Sequence, residues 1–212
     1  MDRLFLPGFG TSGRLYAGGL GDDWRALEPP SFRATKGLLS RYREWAGSQL
    51  HGRDRVWLAG HSMGGALAVL AAAKDPDRIT RLTLVSPAGL PLRKPISASL
   101  ARFAVQVASR RYDLPEIARE VGHGLLAPRA ALRLAQAVRR LDLTGEMRGL
   151  RAAGFPIEVV GCASDSLVTP AHCRSVAELL GADYRELALD GGHMWMLTAW
   201  PAFAGLFLDT QA

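Results

Sequence analysis

The chain has 212 residues, 48% of them hydrophobic and 22% charged, which are ordinary proportions for a globular protein with one compact core and exclude a disordered or fibrous chain. Two cysteines, Cys162 and Cys173, are too few for a disulfide scaffold and are not spaced as in a zinc or redox motif, so both are interpreted as packing thiols. The formal net charge of +6 is concentrated in residues 90–151, which contain 12 Lys and Arg residues against 5 Asp and Glu residues.

Short β-rich runs alternate along the chain with runs rich in alanine and leucine. This alternation is typical of parallel strands joined by crossover helices, and it predicts an α/β fold. The predicted strands are residues 3–6, 31–34, 55–59, 81–85, 157–161 and 184–189. The predicted helices between them are residues 38–50, 64–74 and 171–180, the last ending at a C-cap glycine, Gly181.

Two segments of the sequence bear on where in the cell the protein is located. Residues 1–7 lack the apolar core of a signal peptide and are typical of a strand that leads into a turn, which favours the cytoplasm. Residues 56–73 approach membrane-spanning length, but they include His61, Ser62 and two consecutive glycines. These residues divide the run into a buried strand and a helix, so no transmembrane segment is predicted.

The alternation changes after the fourth predicted strand. Helices are predicted at residues 96–109, 114–121 and 129–140 with no strand among them, and no linker rich in Pro, Gly or Ser separates two domains. We therefore predict an α/β core made of residues 1–90 and 142–212. Residues 91–141 are predicted to form a helical cap, or lid, over the edge of the sheet.

Gly60-His61-Ser62-Met63-Gly64 follows the predicted strand 55–59 and runs directly into a predicted helix. A G-x-S-x-G pentapeptide between a strand and a helix indicates a nucleophile elbow, a sharp turn that lifts the serine hydroxyl above the sheet. Glycines flank such a turn because a Cβ at either position would collide with neighbouring backbone. Ser62 is therefore the candidate nucleophile, and a structural serine is the alternative.

A nucleophilic serine needs a general base, and the base needs an acid that fixes its tautomer. His193 follows the last predicted strand in a glycine-rich loop, from which it could reach the elbow; the alternative is an ordinary surface histidine. Asp165 follows the strand 157–161 and completes the chain order Ser, Asp, His that accompanies the elbow. Asp190 is the rival acid, although its place three residues before His193 suits a turn-forming residue.

The elbow, the segment around Asp165 with Val168 and Pro170, and Gly192-His193 together resemble the α/β-hydrolase superfamily. The resemblance covers nearly the whole chain, and residues 91–141 fall where that family places its variable helical cap. It implies an α/β-hydrolase fold with about six mostly parallel strands and a catalytic triad of Ser62, Asp165 and His193.

Two features depart from the family pattern. The chain begins at what would be the third strand of the family, so the first two strands are expected to be lacking. The loop after the first strand usually reads His-Gly, whereas here it reads Leu6-Pro7-Gly8-Phe9-Gly10, and Pro7 cannot make the hydrogen bonds of a histidine side chain. Backbone N–H groups can still form the oxyanion hole, and the resemblance assigns them to Met63 and Phe9.

The same loop allows a different interpretation. Residues 8–13 match G-x-G-x-x-G after a strand, which is the fingerprint of a dinucleotide-binding fold. A true fingerprint opens a helix and is followed by an acidic residue at the end of the next strand. The following residues are rich in glycine, and the predicted strand 31–34 ends without an acid, so nucleotide binding is disfavoured.

The resemblance implies a serine hydrolase that cleaves carboxylic esters or thioesters through an acyl-enzyme on Ser62, without metal ion or organic cofactor. The expected substrate is a small acyl ester or thioester, and no nucleic acid is expected as a partner. The basic residues 90–151 also resemble those of family carboxylesterases that act on acyl groups tethered to an acidic carrier protein. The alternative is that they are solvated arginines on helix faces. Two alternatives stay open: acyltransferase, lyase or perhydrolase chemistry, and a non-catalytic binding protein on this fold.

Overall fold

Six short strands pair side by side in a single parallel sheet. In the computed structural model, which describes residues 1–92 and 126–208, the strands are β1 (Asp2–Leu6), β2 (Trp24–Ala26), β3 (Val56–His61), β4 (Ile79–Val85), β5 (Ile157–Cys162) and β6 (Asp183–Leu187). Their order across the sheet is β2-β1-β3-β4-β5-β6, and every adjacent pair is parallel. The predicted α/β class is confirmed.

Helices connect these strands and cover both faces of the sheet. Within the described residues the α-helices are α1 (Arg14–Ala17), α2 (Phe32–Thr35), α3 (Leu39–Ser48), α4 (Met63–Lys74), α5 (Pro128–Arg140), α6 (Thr144–Leu150), α7 (Pro170–Leu180) and α8 (Trp200–Ala204). Two short 3-10 helices lie at Pro76–Arg78 and Gly192–Leu197. The predicted C-cap of α7 is present, because Gly181 has a left-handed backbone with φ of 62°.

Successive side chains of each strand point to opposite faces of the sheet, so they pack in two separate hydrophobic clusters. In β1, Leu4 and Leu6 pack with α3 and α4 on one face, whereas Phe5 packs with Trp195 and Phe203 on the other. Helix α4 is buried along most of its length because it lies between the sheet and the helices α3 and α6. The Ser62 turn, at the start of α4, is thus attached to the most buried helix of the described chain.

The predicted strand at residues 31–34 is wrong. Ser31 is the N-cap of α2, and its hydroxyl accepts a hydrogen bond from the N–H of Ala34 at 3.2 Å. This cap stabilises the first turn of a helix at a place where the composition suggested a strand. The sixth strand is instead β2, a three-residue edge strand in which Trp24 pairs with Arg3 of β1.

The predicted cap is described in part. The predicted helices 96–109 and 114–121 lie outside the described residues, whereas the predicted helix 129–140 corresponds to α5, which packs against α2 and α3 and buries Leu134. Helix α6 was not predicted. Within residues 1–92 and 126–208, no helix is both long enough and apolar enough to cross a membrane.

Candidate active site

Ser62 occupies the single position between the end of β3 and the start of α4. Its backbone has φ of 55° and ψ of −117°, a conformation that residues with a Cβ rarely adopt and that costs about 1–3 kcal/mol. Its N–H donates to the carbonyl of Val85 at 3.0 Å, and its carbonyl accepts the N–H of Ala88 at 2.9 Å. Strand β4 and the loop that follows it therefore hold the strained turn from both sides.

The two glycines of the elbow allow the close approach that the sequence predicted for them. A Cβ on Gly60 would collide with the backbone of Gly64. A Cβ on Gly64 would collide with the carbonyl oxygens of Leu6 and Pro7. The turn can therefore form only because both positions lack a side chain.

The structure brings Ser62, His193 and Asp165 together although they are far apart in the sequence. His193 Nε2 lies 2.8 Å from Ser62 Oγ, and His193 Nδ1 lies 2.8 Å from Asp165 Oδ2. A carboxylate accepts hydrogen bonds and does not donate them, so Nδ1 of the neutral imidazole carries the proton. The lone pair on Nε2 is then directed at the hydroxyl of Ser62.

Asp165 is almost completely buried, and two backbone groups hold its other oxygen. Oδ1 accepts the N–H of Leu167 at 2.9 Å and the N–H of Val168 at 3.0 Å. Burial acts to raise the pKa of the Asp165 carboxyl, but His193, its hydrogen bond and the two N–H groups together hold this pKa below its usual value. The carboxylate therefore stays ionised beside the imidazole at neutral pH.

Ser164, which the sequence analysis did not single out, joins the acid loop to the histidine loop. Its hydroxyl donates to the carbonyl of Leu189 at 2.7 Å and accepts the N–H groups of Gly191 at 3.1 Å and Gly192 at 2.9 Å. These three bonds fix the backbone immediately before His193. No motif in the sequence pointed to them, because all three partners are backbone atoms of a distant segment.

His193 lies in the first turn of the 3-10 helix Gly192–Leu197, and not in an open loop as the sequence suggested. The short helix buries the imidazole, which is 4% exposed, and Asp190 is exposed beside it. Because Nδ1 of His193 bonds to Asp165, the rival acid does not occupy that position.

The two predicted oxyanion-hole residues lie next to the elbow and on the loop after β1. Met63 is the first residue of α4, where backbone N–H groups have no partner within the helix. Among the hydrogen bonds formed between described residues, none uses the N–H of Met63 or of Phe9 as donor. The Phe9 ring packs against Phe32, with 5.3 Å between the ring centroids. Both N–H groups thus keep their capacity to bind an oxygen.

A small cavity adjoins the elbow. The part formed by described residues has a volume of about 200 Å³ and is lined by Gly10, Thr11, Pro29, Phe32, Tyr42 and Met63, among others. It shares Met63 with the candidate oxyanion hole and Gly10 with the loop after β1. Most of its surface is apolar, which suits a hydrocarbon group, and the charged residues Glu28 and Arg33 also line it.

The glycine-rich residues 8–13 lack the helix that a dinucleotide fingerprint opens. They lead into α1, which is four residues long, and the N–H of Gly8 donates to the hydroxyl of Tyr16 at 3.3 Å. Phosphate groups need free N–H groups at the start of a helix. Within residues 1–92 and 126–208, no group of three or more His, Cys, Asp or Glu side chains is placed to hold a metal ion.

A sequence model of the alpha/beta hydrolase family matches residues 4–206. A hydrolase from Oleispira antarctica superposes with a TM-score of 0.69 at 17% identity, covering 98% of this chain and 91% of that one. The enol-lactonase from Burkholderia xenovorans LB400 superposes with a TM-score of 0.61 at 22% identity, covering 98% and 89%. The rat (Rattus norvegicus) monoglyceride lipase is 52% identical over 44 residues, which are 21% of this chain and 14% of the lipase. The match to the lipase thus spans a small part of that protein.

Proposed function

Because this chain belongs to the alpha/beta hydrolase family, we propose that it is a serine hydrolase that cleaves carboxylic ester or thioester bonds. The observation that carries the proposal is the unbroken series of hydrogen bonds from Ser62 through His193 to Asp165, in which both joining distances are 2.8 Å. A serine hydroxyl is a poor nucleophile at neutral pH, and an oriented imidazole activates it by taking its proton.

The proposed reaction has two halves that use the same groups. His193 Nε2 takes the proton of Ser62 as Oγ attacks the acyl carbon, and the carbonyl electrons move to the oxygen, which the N–H groups of Met63 and Phe9 stabilise. The bond to the alcohol or thiol then breaks, and His193 gives its proton to that leaving group. Water attacks the acyl-enzyme with His193 again as base, releasing the acid and restoring Ser62.

Apolar side chains line the cavity beside the elbow, among them Phe32, Tyr42 and Met63. Apolar surface favours a hydrocarbon group over a charged one. We therefore propose an aliphatic or aromatic acyl group.

Hydrolysis of p-nitrophenyl esters from acetate to decanoate, together with the matching thioesters, tests this function. We expect turnover by the parent protein and complete loss in Ser62→Ala, and the dependence of turnover on chain length measures the size of the acyl group that the site accepts. Ser40→Ala is the matched control, since Ser40 is an exposed residue of α3. A folded parent protein that hydrolyses none of these compounds would contradict the proposal and favour a binding protein on the same fold.

Product analysis separates hydrolysis from other acyl chemistry at Ser62. Mass spectrometry of the products in the presence of an alcohol or peroxide would show the free acid if water is the acceptor. Conversion mainly to a new ester or to a peracid would favour an acyltransferase or perhydrolase instead.

A cluster of exposed cations favours a second candidate, an acyl group carried by an acidic protein. Arg33 of α2 and Lys36, the C-cap of α2, lie beside Arg129 and Arg133 of α5, and Arg133 donates to the carbonyl of Lys36 at 3.3 Å. Such a cluster attracts an anionic partner, and salt screens the attraction. We expect kcat/KM for an ester on an acidic carrier protein to fall steeply between 50 mM and 500 mM salt, and the value for the free ester to stay constant. Equal salt dependence would contradict this candidate.

A further inference from the structure

A series of buried hydrogen bonds connects the backbone of His193 to the loop after β1. His61 Nε2 lies 3.1 Å from the carbonyl oxygen of His193, and His61 Nδ1 lies 2.9 Å from the hydroxyl of Tyr16. The same hydroxyl accepts the N–H of Gly8 at 3.3 Å. His61 and Tyr16 are 1% and 0% exposed, so water does not compete for these bonds.

The hydrogen-bond partners at the two ends of His61 fix the tautomer of its ring. The carbonyl of His193 can only accept, so His61 Nε2 donates to it. Burial, reinforced by His193, lowers the pKa of His61 to about 3, so the ring is neutral and its Nδ1 must accept. Tyr16 therefore donates to Nδ1, and its oxygen accepts the N–H of Gly8 and also lies 3.2 Å from the hydroxyl oxygen of Thr11.

Thr11 links Tyr16 to the peptide that joins Gly8 to Phe9, because the Thr11 hydroxyl lies 3.2 Å from the Tyr16 hydroxyl and also bonds to this peptide. The Gly8 carbonyl accepts the Thr11 hydroxyl at 3.0 Å and the Thr11 N–H at 3.3 Å. This carbonyl and the N–H of Phe9 belong to one planar trans peptide and point in opposite directions. Bonds that fix the carbonyl therefore also fix the direction of the Phe9 N–H. A Cβ on Gly8 would lie 2.9 Å from His61 Nδ1, so the packing requires glycine here.

We propose that Tyr16 and His61 are positioning residues that hold the Gly8–Phe9 peptide in a fixed position relative to His193. The Phe9 N–H and the general base can then act on the same acyl group. The proposal rests on the proposed function, in which the Phe9 N–H stabilises the oxyanion. Tyr16 thereby supplies a side-chain hydrogen bond to the loop that Pro7 cannot make. The His61 and His193 rings also pack together, with 4.7 Å between their centroids, which couples the two histidines directly.

Kinetics of Tyr16→Phe provide the first test. The substitution removes the hydroxyl and keeps the ring, which packs against Phe5 at a centroid distance of 4.8 Å. We expect kcat to fall by roughly 10- to 100-fold with KM unchanged. This is less than the ~10²–10³-fold cost of deleting an oxyanion donor, because the N–H remains and Thr11 still bonds to the Gly8 carbonyl, and only the support from Tyr16 is lost. Binding of a trifluoromethyl ketone, whose adduct on serine carries an oxyanion, should weaken by the same factor.

Tyr184→Phe is the matched control, since Tyr184 lies on β6 and its hydroxyl bonds to Glu186. It should leave kcat and ketone binding unchanged. A Tyr16→Phe protein with parental kcat, or with raised KM at parental kcat, would overturn the positioning role while leaving the proposed function intact. A parent protein without turnover or fluorophosphonate adduct would contradict the proposed function and this role with it.

A nitrogen-detected NMR measurement on the histidines tests the hydrogen bonds without reference to activity. We expect His61 to be neutral at pH 5 with its proton on Nε2, and the Nδ1 signal to shift in Tyr16→Phe as it loses its donor. The amide proton signal of Gly8 should shift in the same variant. A charged His61 at pH 5, or a proton on Nδ1, would overturn the proposed series.

Discussion

Replacing Asp165 with asparagine changes the charge of the site and keeps its shape. In the native site Oδ1 accepts the N–H groups of Leu167 and Val168, and Oδ2 accepts the proton of His193 Nδ1. The asparagine oxygen can serve the two backbone groups, but its NH2 group then faces His193. Two donors cannot share one hydrogen bond, so the imidazole proton should move from Nδ1 to Nε2, where it blocks transfer from Ser62.

The size of the effect follows from the loss of the base. When the corresponding substitution inverts the histidine tautomer in a well-studied serine protease, kcat falls by about 10⁴-fold. At 1.36 kcal/mol for each factor of ten, this is about 5.4 kcal/mol of transition-state stabilisation. The fold should persist, because the amide keeps the two backbone hydrogen bonds and is easier to bury than a carboxylate.

The assay is steady-state hydrolysis of the best p-nitrophenyl ester by the parent protein and by Asp165→Asn. We expect kcat to fall by about 10⁴-fold with little change in KM. Asp183→Asn is the matched control, since Asp183 is an exposed residue at the start of β6, and it should behave as the parent. A residual kcat within tenfold of the parent value would refute the assignment of Asp165 as the residue that orients His193.

Three further predictions concern the supports of the site. Ser164→Ala removes three hydrogen bonds to backbone groups, and we expect the free energy of unfolding in urea to fall by about 1–3 kcal/mol, with a lower kcat. Unchanged values would argue against the link between the two loops. Because burial lowers the pKa of His61 from 6.5 to about 3, the unfolded chain binds an extra proton between these values. The contribution of His61 should therefore lower the free energy of unfolding by about 1.4 kcal/mol for each unit that the pH falls through this range. In urea titrations, His61→Gln should reduce the slope of the free energy of unfolding against pH by the equivalent of one proton. Equal slopes in the two proteins would contradict the buried neutral ring. Gly64→Ala should abolish folding or activity, judged by circular dichroism and ester turnover. Gly145→Ala, in the open first turn of α6, should be tolerated; a fully active Gly64→Ala protein would contradict the close packing of the elbow.

The elements predicted correctly are those with a strong and long signal. The apolar run that becomes β3 and α4 contains a G-x-S-x-G motif, so its strand, turn and helix could be located to within a residue or two. Strand β2 was missed because three residues are too few to show an alternation of buried and exposed side chains. Residues 31–34 have the composition of a strand, but the Ser31 hydroxyl caps a helix there through a hydrogen bond that composition does not reveal.

The residues of the candidate site also differ in how strong a signal they leave in the sequence. Ser62, Asp165 and His193 could be selected because their chemistry requires particular residue types in a particular chain order, and the fold brings the three side chains together. Ser164 could not, because it bonds to backbone atoms of a segment distant in the sequence. Tyr16 could not, because its partners are the N–H of Gly8 and the ring of the distant His61. A hydroxyl that bonds to a remote peptide group leaves no pattern in composition or spacing.

The most direct test of the central claim, that Ser62 is a nucleophile activated by His193, is intact mass spectrometry after treatment with a fluorophosphonate. A single phosphonate per chain, mapped to Ser62 by peptide analysis, is expected in the parent protein. The adduct should be absent from Ser62→Ala and form far more slowly in Asp165→Asn. A folded parent protein that acquires no adduct, or acquires it on a different residue, would contradict the claim.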